Sequence, residues 1–123
     1  MAMGLYVHGV ELHPGMRLQI DERGDELRPG RYESRDPVVW ELVALRSRKA
    51  DEAYYEVASG RTYSLAQVMR RAKLQRKEAS GDLVQLPAGS DYLVVREYQS
   101  GRLLGHRCYS VDMLAQIREI KIL

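Results

Sequence analysis

The chain has 123 residues, of which 45% are hydrophobic and 29% charged, and its formal net charge is +2. These values are ordinary for a globular domain, and the single cysteine, Cys108, excludes an intrachain disulfide and suits a reducing compartment. No apolar run approaches the roughly 20 residues of a membrane-spanning helix, and the first residues lack the pattern of a signal peptide. A cytoplasmic protein without a membrane partner is therefore expected.

Strands are expected throughout the first third of the chain. Residues 5–12 predict a strand with a kink at Gly9, and the alternation of apolar and polar residues over 16–20 has the period of a half-buried strand. Two further elements are expected before residue 37: a polar loop at 21–26 and a short strand at 31–34.

The segment 38–45 predicts the central strand of the domain. Nearly every position in it is apolar, so both of its faces should be covered. Pro37 and the β-branched start favour a strand over a buried helix, and Trp40 is the expected core anchor.

A helix is predicted over about 64–78, following a strand at 54–58. Ser64 is a suitable N-cap, and Gln67 three residues later completes a capping box. Helical spacing places four apolar residues on the face expected to contact the core: Leu65, Val68, Met69 and Ala72.

The last third contains the clearest hairpin. Strands at 92–99 and 102–109 flank Ser100-Gly101, a two-residue loop of the kind that tight hairpin turns accept. Three more elements are expected: a short strand at 83–86, a short C-terminal helix at about 111–117 and a strand at 119–123.

Together these elements predict an α+β fold with a mostly antiparallel β-sheet, or a small SH3-like barrel. A single small domain over 1–123 is expected. The alternative sub-units 1–80 and 81–123 remain open, because Ser-Gly-Arg, Tyr-Ser and Leu-Ala-Gln occur in that order in both halves.

The hairpin supplies the first candidate surface. If Gln99 faces Arg102 and the register continues without a break, tyrosines and arginines share one side of the hairpin. Such side chains anchor protein interfaces and also stack on bases, although more often they are ordinary strand residues whose stems lie on the sheet. The predicted partner-binding residues are Tyr92, Arg96, Tyr98, Arg107 and Tyr109.

The predicted helix supplies the second candidate surface. Residues 41–80 hold nine basic and five acidic side chains, so the basic excess is local. A basic cluster can bind phosphates or an acidic protein surface, or it can simply complement the helix dipole. The cluster consists of Arg70, Arg71, Lys73, Arg76 and Lys77.

His106 and Cys108 lie two apart on a predicted strand, so their side chains should point the same way. A nucleophile pair or part of a metal site would need such neighbours, but a free cysteine and a neighbouring histidine more often have a buried structural role. No third ligand at suitable spacing accompanies them, and no nucleotide-binding or metalloprotease motif occurs. No cofactor is expected.

The leading hypothesis is a non-enzymatic interaction module: a small adaptor or inhibitor, such as a mobile element carries, that binds a protein through the tyrosine–arginine face. One alternative is a nucleic-acid-binding module that uses the basic cluster. Another is an enzyme that uses His106 and Cys108. A homodimer formed by pairing of the strand at 120–123 is also expected.

Overall fold

The computed structural model describes residues 4–7, 9–21, 37–89, 91–117 and 119–123. Apart from Asp21, the predicted polar loop at 21–26 lies outside the described residues, as does the predicted strand at 31–34.

The described residues form strands, two α-helices and a 3-10 helix. The strands are β1 (Tyr6–Val7), β2 (Val10–Glu11), β3 (Arg17–Asp21), β4 (Val38–Ser47), β5 (Tyr54–Glu56), β6 (Thr62–Tyr63), β7 (Leu83–Gln85), β8 (Asp91–Gln99), β9 (Arg102–Ser110) and β10 (Glu119–Ile122). The helices are α1 (Leu65–Arg70), α2 (Ala72–Ala79) and the 3-10 helix (Val111–Gln116).

All strand pairing in the described parts is antiparallel. The central sheet has the order β10-β3-β4-β8-β9, a smaller sheet has the order β6-β5-β7, and β1 pairs with β2. The mostly antiparallel α+β fold is thus confirmed. The described sheets do not close into a barrel, so the SH3-like alternative is not the architecture.

One face of the central sheet carries the larger core. Trp40 is fully buried there, which confirms its predicted role, and it clusters with Leu42 of β4, Leu93 and Val95 of β8 and Leu18 of β3. Partly buried residues of the N-terminal hairpin and of the 3-10 helix cover this face: Leu5, Val7, Val111, Met113 and Leu114.

Described residues cover the other face of the central sheet over only part of its length. Tyr92 and Val94 of β8 and Ala44 of β4 form a second core with Tyr55 of β5 and with Leu86. Because successive side chains of a strand point to opposite faces, Tyr55 meets the central sheet while its neighbours in β5 face away from it. The small sheet is therefore a middle layer.

The helices form the outer layer. Val68 of α1 and Leu74 of α2 are buried against Tyr54 and Leu83. The predicted capping box is present: Ser64 Oγ accepts from the Gln67 backbone N–H, and Gln67 Oε1 accepts from the Ser64 N–H. No helix in the described parts is long and apolar enough to cross a membrane.

The predicted helix over 64–78 is interrupted at Arg71, whose backbone is extended (φ −118°, ψ 111°). The Gln75 side chain donates hydrogen bonds to the carbonyls of Val68 and Met69 (3.1 and 2.9 Å), which joins α2 to the end of α1. The Val68 carbonyl also accepts from the Arg71 backbone N–H. Of the apolar residues in the two helices, Val68 and Leu74 are buried. The predicted core contact of Leu65, Met69 and Ala72 is wrong, since all three are exposed.

The N-terminal prediction is also corrected. Residues 5–12 do not form one kinked strand. Instead β1 and β2 pair with each other, because Gly9 adopts the positive φ of 76° that a tight turn requires.

The predicted strands at 83–86 and 119–123 are confirmed as β7 and β10, and the predicted helix at 111–117 is a 3-10 helix that Ser110 caps. β10 lies at one edge of the central sheet. Homodimerisation through it stays a prediction.

Tyr92 offers a test of the second core. Its side chain is buried, its hydroxyl has no hydrogen-bond partner among the described residues, and burial raises its pKa to about 12. We expect Tyr92→Phe to leave the free energy of unfolding unchanged or raise it by up to about 1 kcal/mol, because an unsatisfied hydroxyl disappears. Tyr92→Ala should cost about 3–5 kcal/mol through cavity formation. Urea denaturation measures both, and a clear loss in Tyr92→Phe would show that the hydroxyl is satisfied.

The contact between α2 and β5 offers a second test. Glu56 is buried, and hydrogen bonds from Lys77 and Ser59 hold the pKa of its carboxyl below the ordinary 4.5. A depressed carboxyl pKa stabilises the fold above the unfolded-state pKa, and that stabilisation is lost as the pH falls through the folded-state pKa. We expect Lys77→Met to destabilise the protein at neutral pH and to flatten the decline of stability below about pH 4.5.

The control for this prediction is the double variant Glu56→Gln/Lys77→Met. It leaves no buried charge without a partner, so it should be more stable than Lys77→Met alone. Equal acid sensitivity of the wild type and Lys77→Met would contradict the assigned role of the ion pair.

Candidate interaction surface

A β-bulge determines which hairpin residues share a face. Gln99 pairs with Arg102 and Tyr98 with Leu103, as predicted, but Glu97 pairs with Gly105. One extra residue of β9 is therefore inserted, and every later pair is shifted. The predicted register beyond Tyr98 is wrong.

The shift separates the predicted tyrosine–arginine face. Tyr92, Arg96 and Tyr98 alternate along one side of β8, whereas Arg107 and Tyr109 pair with Val95 and Leu93 and so lie on the opposite side. Tyr92 is 1% exposed and belongs to the second core. Of the five predicted residues, only Arg96 and Tyr98 share an accessible face.

On the opposite side, Glu97 organises a cluster that supports the larger core. Its Oε1 accepts hydrogen bonds from Trp40 Nε1 (3.0 Å) and from Tyr109 Oη (2.9 Å). The rings of Trp40 and Tyr109 stack at 4.8 Å, and Arg107 Nε lies 3.6 Å from Glu97 Oε2. Tyr109 and Arg107 are thus already engaged within the chain.

Part of the central sheet is covered neither by the small sheet nor by any other described segment, and we call it the open sheet face. Two rows of paired residues cross it. The first row, over β3, β4, β8 and β9, is Arg17, Glu41, Arg96 and His106. The second, from β10 to β9, is Lys121, Gln19, Val39, Tyr98 and Leu103.

The first row is a chain of polar contacts. Glu41 lies between two arginines, with Oε1 3.2 Å from Arg96 Nη1 and Oε2 3.7 Å from Arg17 Nη2. Arg96 Nε donates to His106 Nε2 at 3.3 Å. The arginine side chains are 59% and 45% exposed, so these pairs add little stability but orient the guanidinium groups.

The second row adds apolar area. Val39 and Tyr98 are half-buried, and Leu103 is 52% exposed. The Arg17 guanidinium lies 5.9 Å from the Tyr98 ring centroid, within the range of a cation–π contact. An aromatic ring and aliphatic side chains thus lie beside oriented arginines.

Sequence reasoning missed Arg17, Glu41 and Val39 because nothing local links β3 and β4 to the hairpin. Arg17 and Glu41 each stand between apolar neighbours, which indicates that each lies on the more polar face of its own strand. Val39 carries no such signal, because both of its neighbours are apolar as well. Their position beside Arg96 and Tyr98 depends on the pairing of β4 with both β3 and β8.

The basic cluster is divided by the structure. Lys77 forms an ion pair with buried Glu56 and is partly covered. The other members, Arg70, Arg71, Lys73 and Arg76, are exposed on α1, α2 and the break between them. Nucleic-acid binding by this cluster stays a prediction.

His106 and Cys108 point to the same side of β9, as predicted, since they pair with Arg96 and Val94. Burial raises the pKa of the Cys108 thiol to about 12, which opposes formation of the thiolate that a nucleophile needs. Burial and the nearby Arg96 lower the pKa of His106. No group of three or more His, Cys, Asp or Glu side chains in the described parts is placed to hold a metal ion.

Comparisons with protein-family models, with curated proteins and with solved structures find no match to this chain.

The lowered pKa of His106 predicts a pH dependence of stability. The unfolded chain takes up the proton first, so this residue favours the fold above the ordinary pKa of 6.5 and loses that effect as the pH falls below it. We expect His106→Asn to have a flatter stability profile than the wild type from neutral pH to about pH 5. Asp82 opposes the shift in part.

Guanidinium denaturation at a series of pH values measures this effect. His13→Asn is the matched control, because His13 is exposed and does not belong to the first row of the open sheet face. Identical profiles for wild type and His106→Asn would contradict the predicted effect.

Proposed function

We propose that this protein is a non-enzymatic interaction module that binds a protein partner through the open sheet face. The observation that carries the proposal is the two-row arrangement: accessible arginines oriented by Glu41, beside Val39, Tyr98 and Leu103. Arginine and tyrosine are the residue types most often found as energetic anchors of protein interfaces.

The charge of the face favours a protein over nucleic acid. In the first row Glu41 lies between Arg17 and Arg96. On β10 Glu119 lies two residues from Lys121. These carboxylates offset much of the positive charge that contacts to phosphates would require. Among the described residues the face also has a single accessible aromatic ring, that of Tyr98, whereas base-stacking platforms use several.

The expected partner surface follows from complementarity. Carboxylates would meet Arg17 and Arg96, and apolar or aromatic side chains would cover Tyr98 and Leu103. The proposal includes the roles of a small adaptor or inhibitor, because both require only a binding surface of this kind.

The test compares protein capture from a lysate of the source cells by immobilised wild type and variants. We expect Arg96→Ala/Tyr98→Ala to reduce recovery of specific partners about tenfold or more, equivalent to about 1.4 kcal/mol. The matched control is Tyr6→Ala/Arg102→Ala, which also removes an exposed tyrosine and an exposed arginine, but away from the open sheet face. Circular dichroism verifies that both variants fold.

Undiminished recovery by the folded Arg96→Ala/Tyr98→Ala variant would overturn the proposal and leave an ordinary solvated sheet face. Equal loss in the control variant would do the same, because the effect would not then belong to this face.

A further inference from the structure

A second surface lies at the junction of the two helices. The break at Arg71 and the Gln75 hydrogen bonds to the Val68 and Met69 carbonyls fix the arrangement of α1 and α2. Val68 and Leu74 anchor this arrangement to the small sheet. The side chains on the outer side of this junction are therefore held in fixed relative positions.

Two large apolar side chains are exposed on α1. Leu65 is 54% exposed and Met69 is 69% exposed. Residues four apart are neighbours on a helix surface, so the two side chains form one small patch. Methionine is flexible and polarisable, and it is common at surfaces that bind varied apolar partners.

The patch lies in the most basic part of the chain. Residues 57–77 contain six basic and no acidic side chains. Lys77 is neutralised by Glu56, whereas Arg70, Arg71 and Lys73 form no ion pair with any described residue. Arg70 Nε donates to the Ala66 carbonyl at 3.3 Å, which holds this cation along α1 beside the patch.

We propose that this helical corner, defined by Leu65, Met69, Arg70, Arg71 and Lys73, binds an acidic amphipathic segment of a partner protein. Carboxylates of the segment would meet the cations, and its apolar side chains would cover Leu65 and Met69. The inference is independent of the open sheet face, because the two surfaces share no residue.

The residue types of the helical corner favour an acidic amphipathic segment over nucleic acid and over an anionic membrane. Leucine and methionine lack the planar ring on which nucleotide bases stack, so nucleic acid would leave the apolar pair unused. A membrane surface engages amphipathic helices through a continuous apolar face, which the six residues of α1 do not supply. An acidic amphipathic segment uses both the charge and the apolar pair.

The test is fluorescence anisotropy with a synthetic peptide of about 15 residues, long enough to form a helix. In this peptide, leucines occupy positions i, i+3, i+4 and i+7, and the other positions are mainly glutamates. A scrambled peptide of the same composition, single-stranded DNA of the same length, and phosphatidylserine vesicles assayed by co-sedimentation are the comparison probes.

We expect Leu65→Gln/Met69→Gln and Arg70→Glu/Lys73→Glu each to weaken binding of the amphipathic peptide about tenfold or more. The apolar control is Val10→Gln/Leu123→Gln, which changes two other exposed side chains. The charge control is Lys49→Glu/Arg102→Glu, which alters the net charge equally at exposed positions elsewhere. Both controls should bind within about twofold of the wild type.

Several outcomes overturn the inference: no binding of the amphipathic peptide, equal binding of the scrambled peptide, or tighter binding of DNA or vesicles than of the peptide. Equal weakening by the charge control would also overturn it, because long-range attraction alone would then explain the affinity. If Arg96→Ala/Tyr98→Ala fails to reduce partner capture, the proposed function of the open sheet face falls, but the inference about the helical corner stands.

Discussion

The structure depends on the burial of β8 on both of its faces. Leu93, Val94 and Val95 are each 0% exposed, and they point alternately to the larger core and to the second core. Because side chains alternate along a strand, two layers must cover this segment: the N-terminal hairpin with the 3-10 helix on one side, and the small sheet on the other. Further along β8 the second layer ends, and Arg96 and Tyr98 reach solvent. The open sheet face is therefore a consequence of how far the small sheet extends.

The same alternation explains how the helices are attached. Tyr55 faces the central sheet, whereas Tyr54 and Glu56 face α1 and α2, and all three are buried. Glu56 is the sole charged residue among the buried positions of the described chain, and it is compensated by Lys77 from α2. A buried carboxylate is costly without a partner, so this pair favours one position of α2 over β5. That position leaves the outer side of α1 accessible.

Local signals in the sequence predict much of this fold, and long-range pairing decides the rest. The Ser64–Gln67 capping box, the Ser100-Gly101 turn and the core position of Trp40 each depend on few neighbours, and all are confirmed. The bulge opposite Glu97 and Tyr98 has a weaker signal, the isolated Gly105 of β9, whose φ is 143°. A glycine in a strand does not by itself give the register, and this bulge moves Arg107 and Tyr109 to the opposite face. The sequence likewise could not predict that Arg17 and Glu41 belong to the first row of the open sheet face. They meet Arg96 only through the order of strands in the sheet.

The two candidate surfaces differ in how their charge is arranged, and this difference suits different kinds of recognition. On the open sheet face a carboxylate separates two arginines, so net charge is low and the guanidinium positions are fixed by ion pairs. Such a face discriminates partners by geometry more than by charge. At the helical corner residues 57–77 contain no carboxylate side chain, and exposed cations follow an adaptable apolar pair along the chain. That arrangement attracts anionic partners at a distance and accommodates varied apolar side chains. A partner that engaged both surfaces would gain affinity from the second contact without requiring either one to be strong.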